Sequence, residues 1–172
     1  MKIIIAGAGE VGFHLAKLLS FESHDITLID NKKSSLNIAE NKLDIKTIEG
    51  NAASISVLKE ANVESSDLVV SLTTSETTNF TTCFLSKQLG AKRTIARISN
   101  TEFIKDCNEI DFDLIGIDEL ISPENLAAEE IKLIISESAF TNSHDFDNGI
   151  LKMMAVRLEK NAPFIGQTVM EV

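Results

Sequence analysis

Apolar runs and helical stripes alternate along this chain. After Lys2, residues 3–6 (IIIA) form an apolar run led by β-branched isoleucines, as a strand buried on both faces requires. After GAGEVG at 7–12, Phe13, Leu15, Ala16, Leu18 and Leu19 recur at helical spacing. The pattern then predicts strands at 25–30 (DITLID), 44–50 (DIKTIEG), 67–73 (DLVVSLT) and 93–99 (RTIARIS), with a short sixth strand within 112–118 (FDLIGID). Between them it predicts helices at 34–41, 54–63, 75–90 and 101–110. Ser54 and Ser75 stand at helix starts, and Gly90 is a stop signal. A last helix over 122–138 opens with Ser122 as cap and Pro123 in the first helical position. Strict strand–helix alternation with short connections predicts a doubly wound, mainly parallel six-stranded α/β sheet of Rossmann type, with helices on both faces.

The alternation breaks near residue 138. Residues 140–149 (FTNSHDFDNG) are polar and read as a linker, so the expected domains are 1–139, the linker, and 150–172. Residues 150–172 alternate through Met154, Val156 and Leu158 and turn around Pro163 and Gly166. So short a segment reads as the start of a second, truncated domain or as an arm.

With 172 residues the chain has room for one domain and a small addition. Lys and Arg number 16 against 26 Asp and Glu, a net charge of −10. That lacks the basic footprint of a general nucleic-acid binder, so no nucleic-acid partner is expected. No apolar run reaches the roughly 18 residues of a membrane span. Cys83 and Cys107 match no metal or redox spacing and read as free thiols in a reducing cytosol. The chain has no Trp and no Tyr, which rules out a catalytic tyrosine. His14, His24 and His144 have no partner in the sequence for nucleophilic or metal chemistry, and no metal signature is present.

Gly7-Ala8-Gly9-Glu10-Val11-Gly12 follows a predicted strand and opens a predicted helix. In that context the glycines have separate tasks: a tight turn at Gly7, close approach of a pyrophosphate at Gly9, and helix–sheet packing at Gly12. The helix N-terminus adds free N–H groups and partial positive charge. Asp30 ends the second strand at the spacing expected for an acid on an adenosine ribose. Its charge would repel a 2′-phosphate, so NAD or an adenine nucleotide is favoured over NADP, with Lys32 and Lys33 weakening that exclusion. The other strand ends, at Glu49–Ala52, Leu72–Glu76 and Ala96–Arg97, converge on the same crevice. Arg97 there is a bidentate donor suited to phosphate.

MKIIIAGAGEVGFHLAKLL, LID at 28–30, EGNAAS at 49–54, SLTTSETTN at 71–79, IARIS at 95–99 and DELISPENLAAEEI at 118–131 occur in that order. Together they resemble the N-terminal domain of the TrkA family, also called RCK or KTN domains, the regulatory subunits of Trk-type potassium uptake systems. The resemblance covers residues 1 to about 138, and the tail is similar to the opening of the small C-terminal domain of that family. It implies a non-catalytic, cytoplasmic subunit that binds NAD(H) or ATP/ADP. Such a subunit forms homo-oligomers (dimers or tetramers) and couples nucleotide state to a membrane potassium-translocating subunit at the inner face of the membrane. By motif, Gly7, Ala8, Gly9, Glu10 and Val11 would hold phosphates and Asp30 the ribose. Asn51 and Ala52 would lie near adenine, and Thr73, Thr74 and Glu76 would border the second half of the cofactor. Arg97 would reach a phosphate. The family usually carries Gly-Asp where this chain has Gly50-Asn51. The 122–138 helix is the expected mechanical link, with Leu126, Ile131, Leu133 and Ile134 either facing a second subunit or covering the helix's own sheet. The competing expectation is the NAD-binding domain of a truncated NAD-dependent oxidoreductase; a redox-sensing transcription factor is disfavoured by the acidic charge.

Overall fold

The computed structural model describes residues 1–100, 102–105, 111–136, 142–146, 151–155 and 165–168. It divides into two compact units, Met1–Glu124 and Asn125–Val172.

In the first unit the strands are β1 (Lys2–Ala6), β2 (Asp25–Asp30), β3 (Lys46–Glu49), β4 (Leu68–Ser71), β5 (Arg93–Arg97) and β6 (Glu119–Ile121). The helices are α1 (Glu10–Ser20), α2 (Lys33–Glu40), α3 (Ile55–Glu60), α4 (Glu76–Gln88) and α5 (Glu102–Lys105). All strand pairs are parallel, in the order β3-β2-β1-β4-β5-β6. This is the doubly wound Rossmann order, and its switch point lies between β1 and β4, where such sheets bind ligands.

The apolar run of β1 supplies both faces of the sheet. Ile3 and Ile5 pack with Ala16, Leu28, Leu36 and Val70 under α1 and α2. Ile4 and Ala6 pack with Ile29, Ile48, Leu58 and Val69 on the opposite face. Period-two alternation thus sorts one strand's side chains into two cores. A smaller cluster of Cys83, Ala96 and Ile117 fills the β5–β6 edge, with Phe80 and Phe112 against it.

The sixth strand lies later than the sequence pattern places it. Residues 112–118 hold a 3₁₀ turn at Asp113–Ile115 and Gly116 at φ +80, and pairing begins at Glu119 opposite Ile95. The apolar residues of FDLIGID follow a turn rather than a strand because Gly116 reverses the backbone into the left-handed region. Asp118 is then spent on a clamp: Lys87 Nζ donates to both its oxygens at 2.6 and 2.7 Å, and the Thr94 N–H at 2.7 Å. Ser75 caps α4, accepting from the Thr78 N–H at 3.2 Å. Ser54 occupies the N-cap position of α3 but its hydroxyl bonds Ser56 instead, at 2.9 Å. The expected 54–63 helix is shorter, ending at Glu60, with Asn62 at φ +56 leading into a 3₁₀ turn at Val63–Ser65.

Helix α6 (Pro123–Ser136) starts at the predicted proline and carries the chain from the first unit into the second. The second unit also contains β7 (Asn142–Phe146) and β8 (Leu151–Ala155), paired antiparallel. β7 falls inside the stretch expected to be a linker: pairing with β8 satisfies its backbone despite its polar sequence. Cys107, Val156, Leu158, Pro163 and most of the predicted 101–110 helix lie outside the described residues.

Candidate functional site

A cleft of about 740 Å³ opens at the carboxyl ends of β1 to β5, over the switch point. Its volume lies within the range of small-molecule and cofactor sites.

The end over β1–β3 is organised by backbone. Gly7 sits at φ +105, and its N–H donates to Ile29 O at 2.7 Å. A Cβ there would press on the Leu72–Thr73 peptide at 3.0 Å. Gly12 abuts the Gly7 carbonyl, where a Cβ has no room. Gly9, by contrast, faces open space, with nothing within 4 Å of an added Cβ. Glu10 and Val11, in the first turn of α1, border the same opening. Among the described residues no side chain caps the helix start, which leaves its N–H groups available to an anion. Asp30 ties the loop to the next strand. Its Oδ2 accepts the Ala8 N–H at 2.6 Å and its Oδ1 the Lys32 N–H at 2.7 Å. Two charge-assisted bonds fix the carboxylate at the cleft wall. Beyond it, Asn51 Oδ1 accepts the Ala53 N–H at 3.0 Å, and Ala52 is buried.

The end over β4–β5 is organised by one side chain. Asn79, on α4, is 1% exposed. Its Oδ1 accepts from Ser71 Oγ, the Thr73 N–H and Thr73 Oγ1 at 3.0, 2.9 and 2.6 Å. Its Nδ2 donates to Thr73 O and Arg97 O at 3.0 and 2.8 Å. The amide thereby pins the ends of β4 and β5 together. Arg97 bonds Glu124, in the first turn of α6, through Nη2, while its buried Nε has no partner among the described residues. Both residues line the cleft. Glu124 is held below the ordinary carboxylate range by its own backbone N–H, and then by Arg97, against an opposing effect of burial.

Residues 3–123 match the family model of the TrkA-N domain. The chain belongs to the TrkA-N domain family. The Trk system potassium uptake protein TrkA of Haemophilus influenzae is 36% identical over 168 residues, covering 96% of this chain and 37% of that protein. A Trk system potassium uptake protein TrkA homolog of Methanothermobacter thermautotrophicus is 31% identical over 172 residues, covering 100% of this chain and 77% of the relative. The chain therefore spans little more than a third of the first relative. Among solved structures, the TrkA-N domain of the inner membrane protein ybaL from Escherichia coli superposes with a TM-score of 0.68 at 14% identity, covering 78% of this chain and 96% of the other. The GsuK channel bound to NAD superposes at 0.59 and 17% identity, covering 70% of this chain and 21% of the other. GsuK bound to ADP superposes at 0.64 and 20%, covering 80% and 34%.

Within this TrkA-N domain, ten of the twelve expected site residues line the cleft: Gly7, Gly9, Glu10, Val11, Asp30, Asn51, Ala52, Thr73, Thr74 and Arg97. Ala8 does not; it is buried, and serves through its N–H to Asp30. Glu76 does not either. It accepts the backbone N–H groups of Ser99 and Asn100, so it holds the loop after β5 rather than bordering the cavity. Sequence reasoning missed Asn79 and Glu124. The signal for the first was a polar amide on the buried face of a helix; for the second, an acid directly after the Pro123 start. Ser35 and Thr78 also line the cleft without having been singled out.

The remaining candidates stay outside it. His14 is exposed on α1, and His24 lies by Glu22 at 3.4 Å and the N-terminus. Cys83 is fully buried, and burial, with Asp118 nearby, pushes its thiol up to about 12, leaving it unreactive. Among the described residues no cluster of three His, Cys, Asp or Glu could hold a metal, and no helix is long and apolar enough to cross a membrane.

Proposed function

We propose that this TrkA-N domain is the nucleotide sensor of a cytosolic regulatory subunit that binds NAD(H) or ATP/ADP and gates a membrane potassium transporter or channel. The subunit acts without catalysing a reaction, as a homo-oligomer (dimer or tetramer), at the inner face of the membrane through a Trk-type translocating partner. The observation that carries the reading is the Gly7 loop and the Asp30 carboxylate locked together at the switch point. Phosphates belong at the loop and the α1 N-terminus, and the ribose at Asp30. The NAD-bound and ADP-bound forms of GsuK support both nucleotides.

The response is a population shift: a nucleotide biases two arrangements by its difference in affinity between them. A phosphate reaching Arg97 competes with Glu124 for the same guanidinium. Glu124 is the last residue of the first unit, and α6 runs on from it. Releasing that contact frees the start of the helix leading to the next unit. Leu126, Ile131 and Ile134 on α6 are all more than half exposed, which fits a helix face reserved for a second subunit. Leu133 of the same expected stripe is half-buried.

Thermal unfolding with NAD, NADH, NADP, ATP and ADP tests the proposal, because a ligand of the folded state raises the midpoint. Higher midpoints with NAD(H) or ATP/ADP and little change with NADP are expected. No shift with any nucleotide would overturn the reading, and robust NADH turnover with carbonyl substrates would favour the oxidoreductase instead.

A further inference from the structure

A second cavity, of about 250 Å³, opens at the amino ends of β1, β2 and β3, away from the switch-point cleft. Cofactor pockets run from about 300 to 1,000 Å³, so this one suits a small ion. Strand register builds it. Lys2 pairs with Asp25, Ile4 with Thr27, and Thr27 with Lys46. Paired residues of parallel strands face the same side, so all five side chains rise from the sheet face where Ile4 packs with Ala61. Asn62, at φ +56, turns the chain from α3 into the 3₁₀ turn at Val63–Ser65 and closes the cavity from above. Both lysines reach that roof: Lys46 Nζ donates to Glu60 O at 2.9 Å, and Lys2 Nζ to Ser65 Oγ at 3.3 Å.

Each ammonium has three donors and uses one there, so two remain on each. Thr27 is 7% exposed, and its hydroxyl has no partner among the described residues. Asp25 is the one acid among the lining residues, and its carboxylate has no partner among the described residues either. Asp67, beside Lys2, does not line the cavity; it is occupied by the Lys2 N–H at 2.8 Å and Lys92 Nζ at 2.7 Å. Free donors and positive charge therefore exceed free acceptors and negative charge, which selects an anion. The single carboxylate narrows the choice to an anion that also donates a hydrogen bond. Hydrogen phosphate keeps one P–OH at neutral pH. Sulfate keeps none, and a phosphate monoester, whose second ionisation falls at about pH 6, keeps little. We propose that this cavity binds inorganic phosphate: Lys2 and Lys46 neutralise its charge, Thr27 donates to it, and Asp25 accepts from its P–OH. The site is independent of whether the switch-point cleft takes a nucleotide.

The test is an amide NMR titration of the whole chain with phosphate, sulfate and glycerol phosphate, at neutral pH and constant ionic strength. Phosphate should give saturable shifts at Thr27, Lys46, Asn62 and Ser65. Sulfate and glycerol phosphate should bind about tenfold more weakly, the cost of leaving one charged group unpaired. Lys2→Gln and Lys46→Gln change exposed positions, and thermal unfolding verifies that both are folded. Each should weaken phosphate binding by about tenfold. Asp25→Asn should abolish the preference over sulfate, because an amide can turn a donor towards it. No saturable shift at these residues, or shifts confined to the Gly7–Val11 loop, overturns the inference. So does sulfate or glycerol phosphate binding to wild type as tightly as phosphate, or phosphate binding that both lysine variants leave unmoved.

Discussion

At the β1–β3 end of the cleft, the ligand-facing groups are backbone amides and one carboxylate, each held by a bond that a ligand has no need to break. Gly7 is anchored to Ile29, Asp30 to Ala8 and Lys32, and Asn51 to Ala53. At the β4–β5 end, Asn79 fastens the strand tips from beneath, and the cleft's arginine is already occupied by Glu124. The first end is preorganised and binds at little conformational cost. Under the proposed reading, the second exchanges an internal partner for an external one. The proposed sensor role would use both: a rigid half to recognise the ligand and a half whose contacts change on recognition.

The largest break in that comparison should come from Gly12. Gly12→Ala drives a methyl into the Gly7 carbonyl, and is expected to cost about 3 kcal/mol or more in urea unfolding. Gly9→Ala meets nothing, so it should change stability by only about 1 kcal/mol. It should still weaken ADP binding, because the methyl stands where a phosphate approaches. A variant pair that loses stability equally would contradict the separate roles of the two glycines.

Asn79→Ala attacks the other end. It strands the Thr73 N–H and the Arg97 carbonyl in a half-buried setting, and about 1–2 kcal/mol of stability should go with them. Unfolding midpoints in urea would measure it; a loss below about 0.5 kcal/mol would show that water or rearrangement replaces the amide.

A smaller effect comes from pH. Burial pushes the Asp118 carboxyl up, but Lys87 and the Thr94 N–H outweigh it and hold it below the ordinary range. Glu124 is also depressed. Both carboxylates therefore bind protons more readily in the unfolded chain. Their contribution is present above the usual carboxylate range near pH 4 and lost as pH falls through it towards the folded values. Unfolding followed from pH 6 to pH 3 should show declining stability, and Asp118→Asn should flatten the decline.

Much of the β1–β3 end was legible in the sequence because its chemistry is local. GAGEVG follows an apolar strand, and an acid ends the next strand at a fixed spacing; backbone geometry converts those intervals directly into positions. The β4–β5 end was less so. Asn79 acts through partners at Ser71, Thr73 and Arg97, and Glu124 through a residue 27 positions away. Those meetings are set by sheet order, not by spacing along the chain. Glu76 shows the same limit: an acid beside a cleft strand turned to the neighbouring loop because two N–H groups there lacked acceptors. The sixth strand was misplaced since FDLIGID is apolar enough for a strand, while Gly116 and the Asp118 clamp determine where pairing starts.

The central claim is that nucleotide phosphate and Glu124 compete for Arg97. Titration calorimetry of ADP into wild type, Arg97→Ala and Glu124→Gln tests it most directly. Arg97→Ala should bind about tenfold more weakly while keeping its fold, as loss of a charged hydrogen-bond partner requires. Glu124→Gln should bind about threefold more tightly, since an exposed ion pair competes only modestly. Weaker or unchanged binding in Glu124→Gln, or unchanged binding in Arg97→Ala, would contradict the account.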